Sequence, residues 1–188
     1  MSTSYPTPVY SHAARGEFTE VYEPAEDSFL LMDALEKDHE RLQQLSGQRL
    51  RSGVSISGIS GWTFSVISVS DSPPPPCTDV NPAAAQCTAT TASCNSVSLQ
   101  PVITSLVGGS GIEAAWAGGK RGREVTDRFL PLVAQLLSSK GLFYLITIAE
   151  NDPEEIIRLL GQCGLTGESC LSTRAGNERL SVLRFHRS

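Results

Sequence analysis

The chain has 188 residues, a formal net charge of −5 and a hydrophobic content of 40%. The length suits a single domain over residues 1–188, and the acidic balance excludes broad electrostatic attraction to nucleic acid or to an anionic membrane. The longest apolar run, "LFYLITIA", is too short to span a bilayer. Five cysteines without a C-x-x-C pair indicate free thiols in a reducing compartment, so a cytoplasmic or nuclear location is expected.

The first predicted element is one long helix over residues 21–45. Pro24 suits the first helical position, and Glu26 and Asp27 place negative charge at the positive end of the helix dipole. These two acids could be functional, but the favourable charge at a helix start already explains them. The residues expected to share its broad apolar face are Phe29, Leu30, Leu35, Leu42 and Leu45.

Residues 47–76 differ in composition from the rest of the chain and form a divergent, insert-like segment. Its β-branched and aromatic residues favour strands, whereas "SPPPPC" favours a loop or polyproline II segment because proline offers no N–H to a sheet. Gly58 and Gly61 have a spacing typical of nucleotide-binding loops, but no clear strand precedes them and no helix follows. A flexible loop is the preferred interpretation of these glycines.

A strand followed by a capped helix is predicted for residues 78–95. Asn81 is the expected N-cap, with Pro82 in the first turn of an alanine-rich helix. Asp79 then lies at the carboxyl end of a strand, where an open α/β sheet often binds a ribose diol. Its carboxylate could accept both hydroxyl hydrogens, or it could merely cap the helix. The spacing leaves both roles open.

A glycine-rich connection follows the short strand predicted for "SLQPVITSL". The glycines and bases of "WAGGKRGREV" stand at a helix start and could hold an anion. Since helix starts favour acids, Lys120, Arg121 and Arg123 are instead expected in a solvated loop. Trp116 is expected to pack against the domain or to act as a lid.

Two helices, a buried strand and a hairpin are predicted for the rest of the chain. One helix over residues 123–141 should end at Gly141, and the next should begin at Pro153 after a cap by Asn151 or Asp152. Between them, the apolar "GLFYLITIAE" predicts a central parallel strand, and the hairpin should turn at "RAGNE". The expected buried face of the first helix comprises Phe129, Leu132, Val133, Leu136 and Leu137.

The element order predicts an α/β sandwich closed by an antiparallel hairpin. His12, His39 and His186 are scattered along the chain without the spacing of a metal site or a catalytic triad. No metal is therefore expected.

Three sequence blocks carry a resemblance to a known family. They are "VYEPAEDSFLLMDAL", "CTDVNPAAAQCTATTASCN" and the pair "GIEAAWAGGKRGREVTDRFLPLV" with "GLFYLITIAENDPEEI". Together they resemble the eukaryotic HemK-type glutamine methyltransferases, over residues 5–46 and 77–188. The resemblance implies a Rossmann-like class I fold, S-adenosylmethionine as methyl donor, and the glutamine of the G-G-Q motif of a translation release factor as substrate. It also implies a small zinc-binding activator subunit as partner in a heterodimer.

The resemblance also assigns residues to the donor site. Asp79 matches the acid that holds the ribose, and Ser28 matches a hydroxyl position near the donor. Leu106 lies beside the adenine position, and Ser105 stands where the family usually has an acid that meets the adenine amino group.

Two family motifs are absent from this chain. The apolar strand and G-x-G-x-G loop before Asp79 are replaced by the divergent segment, and the N-P-P-Y motif that orients the target amide is missing. No catalytic residue can therefore be assigned, and the central strands of the fold are expected to be disrupted. The resemblance predicts a methyltransferase whose activity is impaired or lost. The alternatives are a non-catalytic variant that binds the activator subunit, or an adenine or lysine N-methyltransferase. The acidic charge disfavours a nucleic-acid substrate.

Overall fold

The structure of the protein is a computed structural model that describes residues 5–46, 64–67, 76–79, 81–103 and 122–188. Within these residues the fold is mixed α/β, with a four-stranded antiparallel sheet between two helical layers and a separate two-stranded parallel sheet. The strands of the larger sheet are β1 Phe64–Ile67, β4 Leu142–Ile148, β5 Leu165–Ala175 and β6 Glu178–Arg187, and the parallel pair is β2 Pro76–Asp79 with β3 Gln100–Ile103. The strand order of the larger sheet is β1-β4-β6-β5.

The predicted long first helix is two helices in the structure, α1 Glu26–Lys37 and α2 His39–Ser46. Ala25 is the N-cap of α1, so the placement of Pro24 in the first helical turn is wrong. The chain breaks at Asp38, whose carboxylate bonds to side chains of the sheet and so fixes the end of α1.

The face of α1 and α2 that packs on the sheet is centred on α1. Of the predicted face, Leu30 and Leu42 are buried and Phe29 and Leu35 are half-buried, while the side chain of Leu45 lies outside the described part of the chain. The remaining buried side chains of α1 are Ser28, Leu31 and Ala34.

β4 is the centre of the core. Phe143 and Leu145 face one helical layer, and Leu142, Tyr144 and Ile146 face the other. This burial on both faces explains the uninterrupted apolar run. The predicted parallel orientation is wrong, because β4 pairs antiparallel with β1 and with β6. An apolar run indicates two-sided burial, whereas strand direction depends on which neighbours pair.

Helix α4 Glu124–Leu136 forms one of these layers, but the face predicted for it is only partly correct. Val133 and Leu137 are buried as expected, whereas Leu132 and Leu136 are 41% and 66% exposed. Leu130 takes their place in the core. The apolar residues of α4 lie on more than one side of the helix, so their spacing is compatible with more than one buried face.

Helix α5 Pro153–Gln162 packs in the same layer and begins as predicted. Of the two caps left open by the sequence, Asp152 is the one observed, since its side chain accepts the Glu155 N–H at 3.2 Å. The C-terminal hairpin is also confirmed, with a turn at residues 176–177 and a positive φ of 59° at Gly176.

Helix α3 Pro82–Cys94 connects β2 to β3, as predicted. Residues 5–24, here called the N-terminal strap, run along this helix. The Asn95 side chain bonds both the N–H and the C=O of Val9, and the Asn81 amide donates to the Glu20 carbonyl at 3.1 Å. The strap is therefore fastened near both ends of α3.

Part of the divergent segment forms strands. Residues 64–67 form β1, and Pro76 begins β2, a position that proline tolerates because its missing N–H lies at the strand start. Gly58, Gly61 and the first three prolines lie outside the described residues. In the described part of the chain, no helix has the length and apolarity needed to cross a bilayer.

Candidate functional site

Asp79 is the last residue of β2 and is only 2% exposed. Its Oδ1 accepts the Asn81 N–H at 2.8 Å, which shapes the turn from the strand into α3. Asn81 is the actual N-cap, since its Oδ1 accepts the Ala83 N–H at 2.9 Å. Asp79 thus lies at the strand end where a ribose-binding acid is expected, and it supports the turn rather than capping the helix itself.

Ser28 lies in the first turn of α1 and is 8% exposed. Its N–H and its hydroxyl both donate to Oδ1 of Asp27, at 2.6 and 3.2 Å. Asp27 therefore orients this hydroxyl in addition to placing negative charge at the helix start. Ser28 borders a cavity between α1 and α3, whereas Asp79 is not among the described residues that line it.

Ser105 and Leu106 lie outside the described residues. The preceding strand β3 ends at Ile103, which is in register with Asp79 in the parallel pair. Because parallel strands end at the same edge of a sheet, the chain leaves β3 on the edge that carries Asp79. The other sequence candidates outside the described residues are Trp116, Lys120 and Arg121.

Arg123 contradicts the prediction of a solvated loop, since it is only 4% exposed. Its guanidinium donates to Asp127 at 2.8 and 3.0 Å, to Glu155 at 2.5 Å and to the carbonyl of Asn151 at 3.2 Å. Burial by itself lowers the pKa of Arg123, but the hydrogen bonds to the two carboxylates raise it above its ordinary value. Asp127 at i+4 could have indicated a partner from sequence, whereas Glu155 could not.

A second, partly buried charge group joins α1 to three strands. Asp38 accepts the Tyr144 hydroxyl at 2.6 Å and binds Arg184 with both of its oxygens, and Arg184 also bonds Glu168 at 2.5 Å. The Asp38 and Arg184 side chains are 11% and 14% exposed. Burial, and then the hydrogen bond to Asp38, raises the pKa of Tyr144. No local pattern in the sequence indicates this group, because its members are far apart along the chain.

The cavity bordered by Ser28, here called the N-terminal cavity, has a volume of about 530 Å³ and lies between the N-terminal strap, the α1–α2 pair and α3. Its wall is mostly apolar and includes the rings of Tyr5, Tyr10 and Tyr22. The volume lies within the range typical of small-molecule sites. Within the described residues, no group of three or more His, Cys, Asp or Glu side chains could hold a metal ion.

Comparison with known proteins finds close relatives, although no protein-family model matches the chain. The chain is 46% identical to methyltransferase HEMK2 of Mus musculus over 220 aligned positions, covering 98% of each protein. It is 46% identical to methyltransferase HEMK2 of Homo sapiens over 215 positions, again covering 98% of each. The eRF1 methyltransferase catalytic subunit mtq2 of Schizosaccharomyces pombe is 30% identical over 220 positions, covering 96% of this chain and 95% of the relative.

Among solved structures, the E. cuniculi Mtq2-Trm112 complex, responsible for methylation of the eRF1 termination factor, matches with a TM-score of 0.49 and 17% identity. The match covers 89% of this chain and 98% of that chain.

The named sequence relatives are all methyltransferases, and this defines the class of protein. Since the identity reaches 46% over nearly the full length of both proteins, the chain belongs to the HemK-type methyltransferases. The 220 aligned positions exceed the 188 residues of the chain, so the mouse relative has residues at positions where this chain has none.

Proposed function

We propose that this chain binds S-adenosylmethionine and derives from an enzyme that methylates the release-factor glutamine, with its own methyl transfer impaired. Family membership supports the substrate class, because one relative is named an eRF1 methyltransferase. The observation that carries the proposal is the position of Asp79, a buried carboxylate at the carboxyl end of a parallel strand.

The residues present fit the ribose end of the donor in type and in place. S-adenosylmethionine supplies an activated methyl group when it is bound. Asp79 would accept the ribose hydroxyls, and Ser28 would offer the hydroxyl that Asp27 orients. Ser105 and Leu106 would border the adenine. The methionine end has no matching loop, because the G-x-G-x-G sequence is absent. We therefore expect donor affinity to be weaker than in the relatives.

We infer impaired methyl transfer from the absence of the N-P-P-Y motif, which would orient the target amide. In this chain the N-P pair is formed by Asn81 and Pro82, which begin α3. Asn81 uses its oxygen for the Ala83 N–H and its amide for the Glu20 carbonyl, and it is only 9% exposed. Asn81 is therefore committed to the fold and unsuited to orienting a substrate.

The finer fold proposal is a Rossmann-like class I sandwich that has lost two central strands. The separation of the parallel β2–β3 pair from the larger sheet supports it, since two missing strands between them would leave two sheets. The helical layers on both faces of β4 support it as well.

The second candidate function is a non-catalytic module that binds the small zinc-binding activator subunit. The observation that favours it is the exposure of β3, where Val102 and Ile103 are 38% and 60% exposed. Within the described residues, β3 pairs only with β2, so its other edge could accept a partner strand.

Calorimetric titration of S-adenosylmethionine into the full chain tests the first proposal. We expect binding by the unaltered chain and at least about a tenfold loss of affinity in Asp79→Asn. The asparagine oxygen can still accept the Asn81 N–H and support the turn, so this variant removes the charge while retaining the fold. Asp33→Asn, which removes an exposed acid from α1, is the matched control and should bind as the unaltered chain does.

Each outcome of the titration separates the two candidate functions. Loss of binding in Asp79→Asn but not in Asp33→Asn supports the donor site. A folded chain that binds no donor, or an Asp79→Asn variant with unchanged affinity, contradicts it. In the first of these cases, co-purification with the activator subunit would support the binding module.

A further inference from the structure

The N-terminal cavity has a wall of aromatic rings that are held in position. The Tyr10 ring meets Phe29 edge-on with a centroid distance of 6.0 Å, and the Tyr5 ring lies against His39 at 6.3 Å. Tyr5 and Tyr22 are 43% and 57% exposed and so border the opening. Rings that are already fixed lose little conformational entropy when a ligand binds between them.

Glu36 is the one acidic side chain among the described residues that line this cavity, and no described lysine or arginine lines it. Glu36 is half-buried near the C-terminal end of α1. His39, which also borders the cavity, donates from Nδ1 to the Glu36 backbone carbonyl at 2.9 Å. The cavity thus combines aromatic faces with one negative charge.

Residues 5–46, which include most of the cavity wall, carry a net negative charge like that of Glu36. Between Tyr5 and Ser46 there are nine acidic residues and three basic ones, although the whole chain has only 20 acidic against 15 basic residues. Two of the three bases are Lys37, which donates to the Cys170 carbonyl on the sheet, and Arg41 on α2. A negative potential is therefore expected around the opening, and it attracts cations.

We propose that the N-terminal cavity binds a small organic cation with an apolar body. The onium group lies against the tyrosine faces and Glu36, and the apolar body contacts Met32, Leu35 and Leu42. Aromatic faces attract organic cations through the ring quadrupole, and partial desolvation strengthens this attraction. Asp79 does not line this cavity, but Ser28, one of the residues proposed for the donor site, borders it, so the cation site would adjoin the donor site.

Titration of benzyltrimethylammonium into the full chain, followed by calorimetry or by NMR shifts, tests the proposal. We expect saturable binding, with benzyl alcohol, which has the ring without the charge, binding at least about tenfold more weakly. Glu36→Gln should weaken cation binding about fivefold, and Tyr10→Leu by a similar factor. Asp33→Asn, an exposed acid on the same helix that does not line the cavity, should leave the affinity unchanged.

Circular dichroism would confirm that each variant is folded, and Tyr22→Leu at an exposed position provides a second aromatic variant that is compatible with folding. Absence of saturable binding at millimolar probe would overturn the proposal. Equal affinities of the unaltered chain and Glu36→Gln would do so as well. Displacement of the probe by S-adenosylmethionine would also overturn it, because the cavity would then be part of the donor site.

Discussion

At the scale of single residues, the Asp38 carboxylate serves two donors of the sheet, the Tyr144 hydroxyl and the Arg184 guanidinium. Asp38 ends α1, and both donors belong to strands of the larger sheet, so these bonds fasten a helix to the core. Removing one member of a buried ion pair leaves the other charge desolvated without compensation. The two acids that bind Arg184 differ in exposure, which allows a matched comparison.

Asp38→Ala should lower the free energy of unfolding by about 3 kcal/mol, because Arg184 would keep only its bond to Glu168 in a largely buried position. Glu168→Gln should cost less than about 1 kcal/mol, since the Glu168 side chain is 59% exposed and water screens its pairing. Urea unfolding measured for both variants checks this difference. Equal losses would contradict the view that Asp38 fastens the helix.

The tyrosine of the same group predicts a loss of stability at high pH. Burial, and then the hydrogen bond to Asp38, raises the pKa of Tyr144 above its ordinary value of about 10. A pKa that is higher in the folded chain gives stability that is fully present below the unfolded pKa and is lost as the pH rises. The free energy of unfolding should therefore fall above about pH 10, where the unfolded chain releases this proton first.

Tyr144→Phe should lack this part of the decline, at a cost of about 1 kcal/mol at neutral pH for the lost hydrogen bond. Unfolding measured between about pH 8 and pH 11 for both proteins checks the slope. Burial also raises the pKa values of the Cys87 and Cys170 thiols, but both proteins contain them, so their effect cancels in the comparison. The same pH dependence of the free energy of unfolding in both proteins would contradict the assignment of this decline to Tyr144.

At the scale of elements, the C-terminal hairpin brings β5 very close to the aromatic core. A Cβ atom at Gly167 would lie 2.2 Å from the Phe185 ring, which is fully buried against Phe143. Gly161 in α5, by contrast, has open space where a Cβ would stand. One glycine is thus required by packing, and the other is only a weak helix former.

Gly167→Ala should lower the free energy of unfolding by about 1–3 kcal/mol, because the added methyl group would force the Phe185 ring to move. Gly161→Ala should raise it by about 0.5–1 kcal/mol through helix propensity alone. Thermal unfolding of the two alanine variants, which differ only in position, checks both signs. Destabilisation by both substitutions would contradict the view that α5 has room for a methyl group at Gly161.

At the scale of the whole molecule, the described residues form two sheets that differ in how extensively they are buried. The larger sheet has helices on both faces and buries nearly all of β4. The parallel pair has two short strands, and three of the four residues of β3 are exposed. Regions with few buried apolar contacts open more easily than the core of a domain.

Hydrogen exchange of the native chain should therefore differ between the sheets. We expect the amides of β4 and β6 to exchange at least about a hundredfold more slowly than those of β2 and β3. Mass spectrometry of peptides after labelling, supported by NMR, would measure both sets in one sample. Similar protection of the two sheets would show that they unfold as one cooperative unit.

The elements that the sequence predicts well are those with local signals. Asn81 before Pro82 and the turn after Arg174 satisfy backbone groups through neighbouring residues and occur where expected. Asp152 before Pro153 is one of the two caps that the sequence left open. The wrong predictions concern contacts between distant parts of the chain. The helix break at Asp38 depends on Arg184, and the burial of Arg123 depends on Glu155.

The sequence by itself determined the family, the Asn81 cap, the hairpin and the two-sided burial of β4, because those features lie in motifs, short spacings and composition. Only the tertiary structure decided the antiparallel pairing of β4, the separation into two sheets, the charge groups around Arg123 and Arg184, and the N-terminal cavity. These features arise where segments far apart in sequence meet. Their free energies depend on burial and on partners that no local pattern contains.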